Sequence, residues 1–213
     1  MSLAISSVES GLKFVMTPDH HAPSPRDEEC NLGVMVCSHR RHNLGDKDGF
    51  DKAVDVVRAH FSASHLEDHD LSCPVEVYKL LQKSEAAIML PLYLYDHSGL
   101  TISTSPFSCP WDSGQVGYIF VTKAHVRSEF GWKQLNAKRV AQIEASLRSE
   151  VATYDQYLTG DIWQFEAFKD DEVVESGYGF FGDDPARNGM IDSVPDEFVS
   201  LIKAGQFQRS FSI

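Results

Sequence analysis

Two loops that flank one predicted hairpin hold the densest mixture of acids, bases and nucleophiles in the sequence, within residues 91–118 (PLYLYDHSGLTISTSPFSCPWDSGQVGY). Nucleophilic catalysis commonly uses a histidine that takes a proton from a thiol or hydroxyl, with a carboxylate that orients the ring. In this segment His97 would be the base toward either Cys109 or Ser98 as the nucleophile. Either Asp96 or Asp112 would orient the ring. This chemistry requires the two loops to converge within hydrogen-bonding distance.

A structural interpretation of the same residues is the main alternative. Asp96 is suited to start a turn, and His97 and Ser98 would then be solvated at the tip of the hairpin. Cys109 would pack as a small apolar side chain beside Trp111. No G-x-S-x-G motif accompanies Ser98, so the sequence does not specify the nucleophile turn of a serine hydrolase.

A second candidate segment is residues 37–46 (CSHRRHNLGD), in which His39 precedes two adjacent arginines, Arg40 and Arg41. Guanidinium groups present planar forks of donors that fit phosphate or carboxylate groups. The segment is therefore a candidate site for an anionic ligand. The alternative is that the arginines pair with nearby acids such as Asp46, in surface ion pairs that contribute little stability.

Metal and nucleotide sites have no diagnostic pattern in the sequence. Nine histidines are many for 213 residues, and several of them crowd with acids into residues 60–70. The sequence contains no H-E-x-x-H, no paired C-x-x-C, no calcium-binding loop and no G-x-x-x-x-G-K-[ST] phosphate loop. A solvated polar loop is the simpler interpretation of the histidine-rich stretch, and we expect no cofactor and no metal ion.

Acidic and aromatic residues are interleaved in the second half of the chain. Exposed aromatic rings surrounded by acids suit a protein interface, because each ring buries a large area with few rotatable bonds. Packed inside a sheet, the same rings would be core, as we expect for Trp163 and Tyr178. The candidate binding residues are Trp111, Gln115, Asp155, Asp161, Asp183 and Asp184.

The elements that must position these loops are runs of strands with helices between the runs. The two-residue alternation of residues 88–95 predicts a strand, followed by a hairpin loop at 96–99 and a returning strand at 100–105. A third strand is predicted at 116–122. Apolar residues at intervals of three or four over 136–158 predict a long amphipathic helix. The order predicts an α+β fold, with a mainly antiparallel sheet, this one long helix packed on it and shorter peripheral helices.

Composition and charge limit the functional classes. The net charge of −12, from 19 basic and 31 acidic residues, disfavours non-specific nucleic-acid binding. No apolar stretch approaches the ~20 residues needed to cross a bilayer, so we expect no membrane span. The four cysteines form no close pair, and we expect an intracellular protein with reduced thiols. Residues 1–30 lack apolar periodicity and are expected to be a mobile N-terminal arm, with a single domain over 31–213.

Several stretches resemble a family of small proteins encoded by bacteriophages and mobile elements. They are VCSHRR (36–41), LPLYLYDHSG (90–99), STSPFSCPWDSGQVGY (103–118) and YDQYLTGDIW (154–163). The resemblance covers roughly residues 31–182. It implies a setting, the cytoplasm of a bacterial host cell, and it assigns no reaction and no catalytic residues.

The leading hypothesis from the sequence is a phage or mobile-element accessory protein that binds a host or viral macromolecule, most simply a protein, through an acidic, aromatic-rich surface. The balance of these features leans against an enzyme. The rival hypothesis is a hydrolase or phosphate-ester-cleaving enzyme, in which arginines neutralise developing charge and His97 transfers a proton. A purely structural subunit is a third possibility. The candidate catalytic residues are His39, Arg40, Arg41, Asp46, Asp96, His97, Cys109 and Asp112.

Overall fold

The computed structural model describes residues 2–7, 11–27, 30–205 and 207–210. It divides into two compact units, one formed by residues 1–24 and 156–213 and the other by residues 25–155. Residues 31–213, predicted to be a single domain, are therefore divided between the two units. Residues 1–30, expected to be an arm, also contribute to both units.

The unit of residues 25–155 contains four strands and five helices, within its described part. The strands are β3 (Val34–Cys37), β4 (Ala87–Asp96), β5 (Leu100–Ser103) and β6 (Ser113–Thr122). The helices are α1 (Gly49–His60), α2 (Ala63–Leu66), α3 (Pro74–Ser84), α4 (Lys123–Phe130) and α5 (Ala137–Thr159), and the division between the units falls inside α5.

The sheet of this unit is antiparallel, in the order β3-β6-β4-β5. The predicted hairpin is confirmed, because β4 pairs with β5 across a short loop and Asp96 lies opposite Leu100. Burial alternates along β4, so Leu90, Leu92 and Leu94 are buried, as the two-residue period predicts. The third predicted strand, β6, pairs with β4 rather than with β5, and it places β3 at the far edge of the sheet.

Helices cover both faces of this sheet. Buried residues of α1 and α3 pack with Val36, Tyr118 and Phe120 in one apolar cluster. On the other face the apolar stripe of α5 is buried, and a Cβ added at Gly33 would lie 2.6 Å from a methyl carbon of Leu147 and 2.8 Å from one of Ile119. The long amphipathic helix packed on an antiparallel sheet, and with it the α+β class, is confirmed.

The unit of residues 1–24 and 156–213 has its own five-stranded antiparallel sheet, in the order β8-β7-β2-β1-β9. The strands are β1 (Ser2–Ser7), β2 (Leu12–Pro18), β7 (Ile162–Lys169), β8 (Glu172–Phe181) and β9 (Gln208–Ser210). A short 3₁₀ helix (Met190–Asp192) and α6 (Asp196–Ala204) add Met190, Phe198 and Ile202 to its apolar core.

Two strands occupy the segment where the sequence analysis expects a mobile arm. Leu12, Phe14 and Met16 alternate along β2 and are buried, and Phe14 stacks on Phe165 at a centroid distance of 5.3 Å. This period-two pattern is short and lies between polar runs, which is why composition masked it. Residues 1, 8–10 and 28–29 of the expected arm lie outside the described residues.

No helix in the described part of the chain combines the length and the low polarity needed to cross a membrane.

Candidate functional site

The histidines and arginines of residues 37–46 lie on a loop whose two ends are fastened together. The loop leaves β3 at Cys37 and returns at Gly45, which forms an isolated antiparallel bridge with Val36. The backbone N–H of Asp46 donates to the carbonyl of Met35 at 2.9 Å. Gly45 has a φ of +75°, and a Cβ there would lie 2.7 Å from Met35 O, so both conformation and space require glycine. The segment 38–44 is therefore held at its base.

A buried ion-pair network, here called the closed cluster, lies at this base and consists of Arg26, Asp46 and Glu150. The Arg26 side chain is only 3% exposed. It donates from Nε and Nη2 to the two Asp46 carboxylate oxygens, at 2.7 and 3.0 Å, and from Nη1 to Glu150 Oε2 at 2.9 Å. Nη1 and Nη2 also donate to Asn31 Oδ1 and Gly33 O. All five N–H groups of the guanidinium are thus used.

The closed cluster also holds the main chain in and just before β3. Asp46 Oδ2 accepts from Met35 N at 3.0 Å, and Glu150 Oε1 accepts from Leu32 N at 2.8 Å. Burial lowers the pKa of Arg26, but hydrogen bonds and charge from Asp46 and then Glu150 outweigh it and raise that pKa. Asp46 was a candidate catalytic residue, and the structure places its carboxylate on Arg26 and on the backbone of β3. Its arrangement is that of a structural anchor.

Above the anchored base, four side chains meet in what we call the open cluster: His39, Arg41, His42 and Asp96. Arg41 Nη2 donates to Asp96 Oδ2. His39 Nε2 and His42 Nε2 lie 3.9 and 3.7 Å from the same oxygen. The two imidazole rings are stacked, with centroids 5.1 Å apart and planes within 10°. Three groups that can carry positive charge therefore surround one carboxylate oxygen.

A second group, the Asp112 trio, is joined to the open cluster through the backbone and consists of His97, Cys109 and Asp112. The N–H of Asp96 donates to Asp112 O at 2.9 Å. His97 Nδ1 lies 3.4 Å from Asp112 Oδ2, and Cys109 Sγ donates to the same oxygen at 3.6 Å. The sulfur and the imidazole thus share one carboxylate, and Asp112 is the acid that faces His97.

Strand direction explains why residues so distant in sequence come together. β3 and β4 both run antiparallel to β6, so the C-terminal ends of β3 and β4 lie at the same end of the sheet as the start of β6. The register of β4 against β6 shifts between Leu92 and Tyr93, and Ser38 N then donates to Val116 O at 2.8 Å. Such irregularities re-aim side chains at the end of a strand pair. The sheet therefore delivers the ends of β3, β4 and the loop before β6 to one place.

This arrangement offers two chemical functions side by side. The exposed guanidinium of Arg41 can bind an anion. The imidazole of His97, with Nδ1 toward Asp112, can move a proton at Nε2. Burial raises the pKa of the Cys37 thiol to about 12, so that sulfur stays protonated near neutral pH and contributes no nucleophile.

The remaining candidates of this unit are exposed or locally paired. Arg40 is exposed and lies between His39 and Arg41. Trp111 is 91% exposed beside Asp112. Gln115 is exposed, and its amide donates to Gly117 O at 3.3 Å.

The four candidate binding acids differ in how they are engaged. Asp155 accepts from Ile102 N at 2.7 Å, and burial raises its pKa. In the other unit, Asp161 accepts from Trp163 Nε1 at 2.8 Å, and Asp184 pairs with Arg187 at 3.3 Å. Asp183 is exposed. Only part of the expected acidic surface therefore presents carboxylates to solvent.

The aromatic expectations are half right. Trp163 is buried at 6% exposure, as predicted. Tyr178 was predicted to be core and is 80% exposed, because it lies on β8, an edge strand whose first five residues are all exposed.

Sequence reasoning missed two important residues. His42 was not selected, although its spacing of three from His39 in a short anchored loop was a usable signal. Arg26 gave no signal, because it stands in a polar run (TPDHHAPSPRDEEC) in which nothing marks a buried cation. Its partners Asp46 and Glu150 are 20 and 124 residues away.

Comparison of the chain with protein-family models, with curated proteins and with solved structures gives no significant match, so the interpretation of the site comes from its own geometry.

Proposed function

We propose that the chain is a hydrolase that cleaves phosphate esters at the open cluster and the Asp112 trio. The observation that carries the proposal is the meeting of three distant segments at one end of the sheet, where the backbone bond from Asp96 N to Asp112 O joins the Arg41–Asp96 pair to the His97–Asp112 pair. Side chains with these complementary roles in one place are the usual requirement of acid–base catalysis.

Arg41 would bind the phosphate group of the substrate. Its side chain is 65% exposed and uses Nη2 for Asp96, so its other N–H donors are available to phosphate oxygens. Charge on those oxygens grows or redistributes as the ester bond breaks, and a fixed cation stabilises it. Asp96 would keep the guanidinium in place.

His97 would carry the proton. Asp112 Oδ2 lies 3.4 Å from Nδ1 and would orient the ring, so that Nε2 would accept a proton from a water molecule as that water attacks phosphorus. The bond from phosphorus to the ester oxygen then breaks, and the proton on His97 passes to the departing alkoxide. The products are an alcohol and a phosphate with one P–O bond to the former water oxygen, and His97 returns to its neutral state.

The test is hydrolysis of bis(p-nitrophenyl) phosphate and p-nitrophenyl phosphate by the full chain. We expect turnover above the protein-free rate, with kcat/KM lowered about 100-fold or more by Arg41→Met and by His97→Gln. Arg58→Met and His60→Gln change exposed residues of α1 and serve as matched controls that should keep the wild-type rate. Absence of turnover, or equal rates for Arg41→Met and the wild type, would contradict the proposal.

A second candidate function is binding of a protein partner in a phage-infected or element-bearing bacterial cell. The observation that favours it is Trp111, a large aromatic ring left 91% exposed on a loop, since exposed tryptophan is frequent among interface residues that dominate affinity. In crosslinking from bacterial lysate, Trp111→Ala should lose the partners captured by the wild type. Identical partner lists would remove this candidate.

A further inference from the structure

We propose that His39, His42 and Asp96 bind one divalent transition-metal ion of the zinc class, through the two Nε2 atoms and Asp96 Oδ2. Among the described residues, these side chains form the one group of three or more histidines, cysteines and acids placed to share an ion. Their ligand atoms all lie within 4.8 Å of one another. Two imidazoles and a carboxylate form a common ligand set of catalytic zinc and of non-haem iron.

The distances are close to those a zinc ion needs. Zinc binds nitrogen and oxygen at about 2.0–2.1 Å, so two ligands at a tetrahedral angle lie about 3.4 Å apart. The His39 and His42 Nε2 atoms are 3.9 and 3.7 Å from Asp96 Oδ2. On binding, these two distances would shorten by a few tenths of an ångström, and the stacked imidazole rings would also turn relative to each other, because a metal ion lies in the plane of each ring that binds it.

The ligands are held by the fold, and the position between them remains accessible. The base of the loop that carries both histidines is fastened by the Val36–Gly45 bridge, and Asp96 lies at the end of β4. The side chains of His39, Asp96 and His42 are 19%, 22% and 36% exposed. Partial burial limits the freedom that binding removes, while solvent access leaves room for a water as fourth ligand.

Arg41 and the ion would compete for the same carboxylate. Arg41 Nη2 donates to Asp96 Oδ2, the oxygen that faces both imidazoles, and its positive charge opposes a cation placed there. Because the Arg41 side chain is 65% exposed, it can move aside at little cost. The long contact from Arg41 N to His39 Nδ1, at 3.4 Å, would also open, since a ring that binds metal through Nε2 carries its proton on Nδ1.

The proposed ion binding does not depend on the chain being an enzyme. A role for the ion in ester cleavage does rest on the proposed function. With the ion on Asp96, Arg41 would lose the carboxylate that holds it in the metal-free chain. The ion would then supply positive charge where phosphate oxygens bind, and it would lower the pKa of its own bound water.

The test is isothermal titration of the full chain with ZnCl₂, with MgCl₂ as the contrasting ion. We expect one zinc per chain and no measurable magnesium binding, because imidazole nitrogen suits zinc and not magnesium. Asp96→Asn and His42→Gln should each weaken zinc binding by about 100-fold or more. Arg41→Met should bind zinc several-fold more tightly than the wild type. His60→Gln and Arg58→Met should match the wild type.

Circular dichroism establishes that each variant is folded, and the gain of affinity in Arg41→Met is a result that unfolding cannot produce. No zinc uptake by the wild type, or uptake unchanged in Asp96→Asn and His42→Gln, would overturn the proposal, as would unchanged affinity in Arg41→Met. Zinc uptake by a chain that cleaves no phosphate ester would support the ion site and overturn the proposed function. If the chain takes up no zinc, and cleaves phosphate esters as fast after treatment with a chelator as before, the proposed function is supported and the ion site is overturned.

Discussion

The closed cluster and the open cluster use the same pairing of arginine with carboxylate at the two ends of one short segment. At the base, Arg26 is 3% exposed and all its donors are used within the protein. At the tip of the loop, Arg41 is 65% exposed and donates to Asp96 from one amino group, Nη2. Burial and the number of satisfied donors, rather than residue type, separate a structural pair from one available to a ligand.

The two clusters are also mechanically connected. Asp46 belongs to the closed cluster, and its backbone N–H closes the loop that carries His39, Arg41 and His42. A rigid base is what allows an exposed tip to keep several side chains around one oxygen, because loops without such support lose that geometry to conformational entropy. The closed cluster therefore serves the open one without taking part in its chemistry.

Replacement of each arginine by methionine gives the largest expected contrast. Arg26→Met leaves the Asp46 and Glu150 carboxylates buried without their cation, and we expect the free energy of unfolding to fall by about 3–5 kcal/mol. Arg41→Met removes an exposed pair and should cost about 1 kcal/mol or less. Urea denaturation of the two variants measures both values. Equal losses would show that the two clusters are not different in kind.

A smaller loss of stability is expected from a substitution at Gly45, at the fastened base of the loop between the two clusters. Gly45→Ala places a Cβ 2.7 Å from Met35 O at a residue with φ of +75°, and we expect a loss of roughly 1–3 kcal/mol together with weaker zinc binding. The matched control is Gly114→Ala in β6, where a Cβ would meet nothing within 4 Å. Thermal unfolding and zinc titration of both variants check this. A Gly45→Ala protein with native stability and affinity would mean that the loop base does not position the tip.

The smallest expected change in stability concerns a buried polar group that, unlike the Arg26 guanidinium, has no hydrogen-bond partner. Among the described residues, the Tyr118 hydroxyl is the buried side-chain group found without a hydrogen-bond partner, and burial followed by the charge of Tyr78 raises its pKa. Tyr118→Phe removes an unsatisfied group and should raise the free energy of unfolding by about 1 kcal/mol. Chemical denaturation measures the change, and a clear loss of stability would indicate that the hydroxyl is satisfied in solution.

Local periodicity predicted the elements near the site well. The alternation along residues 88–95 and the three-to-four spacing over 136–158 depend only on near neighbours, and both correspond to elements of the structure, β4 and α5. The strand β2 was missed because its seven residues lie between polar runs. The exposure of Tyr178 was missed because an edge position depends on the order of strands, which spacing does not encode.

The site itself was only half visible in the sequence. Residue types marked His39, Arg41, Asp96, His97 and Asp112 as candidates, and the enzyme hypothesis required their loops to meet around one cleft, but spacing alone could not show which side chains would pair. They meet because β3 and β4 both pair with β6 and end at the same end of the sheet, and pairing between strands far apart in sequence is not encoded in local spacing. Asp46 had the right chemistry for a catalytic acid, and only its partner Arg26, 20 residues away, gives it an anchoring position instead.

The ion site is tested most directly by the position of zinc in a crystal of the full chain, determined from anomalous scattering at the zinc absorption edge. We predict one strong peak bonded to His39 Nε2, His42 Nε2 and Asp96 Oδ2, with the Arg41 guanidinium displaced from Oδ2 and the closed cluster unchanged. A crystal grown with zinc that shows no peak there, or whose ion lies on other histidines, would contradict this prediction.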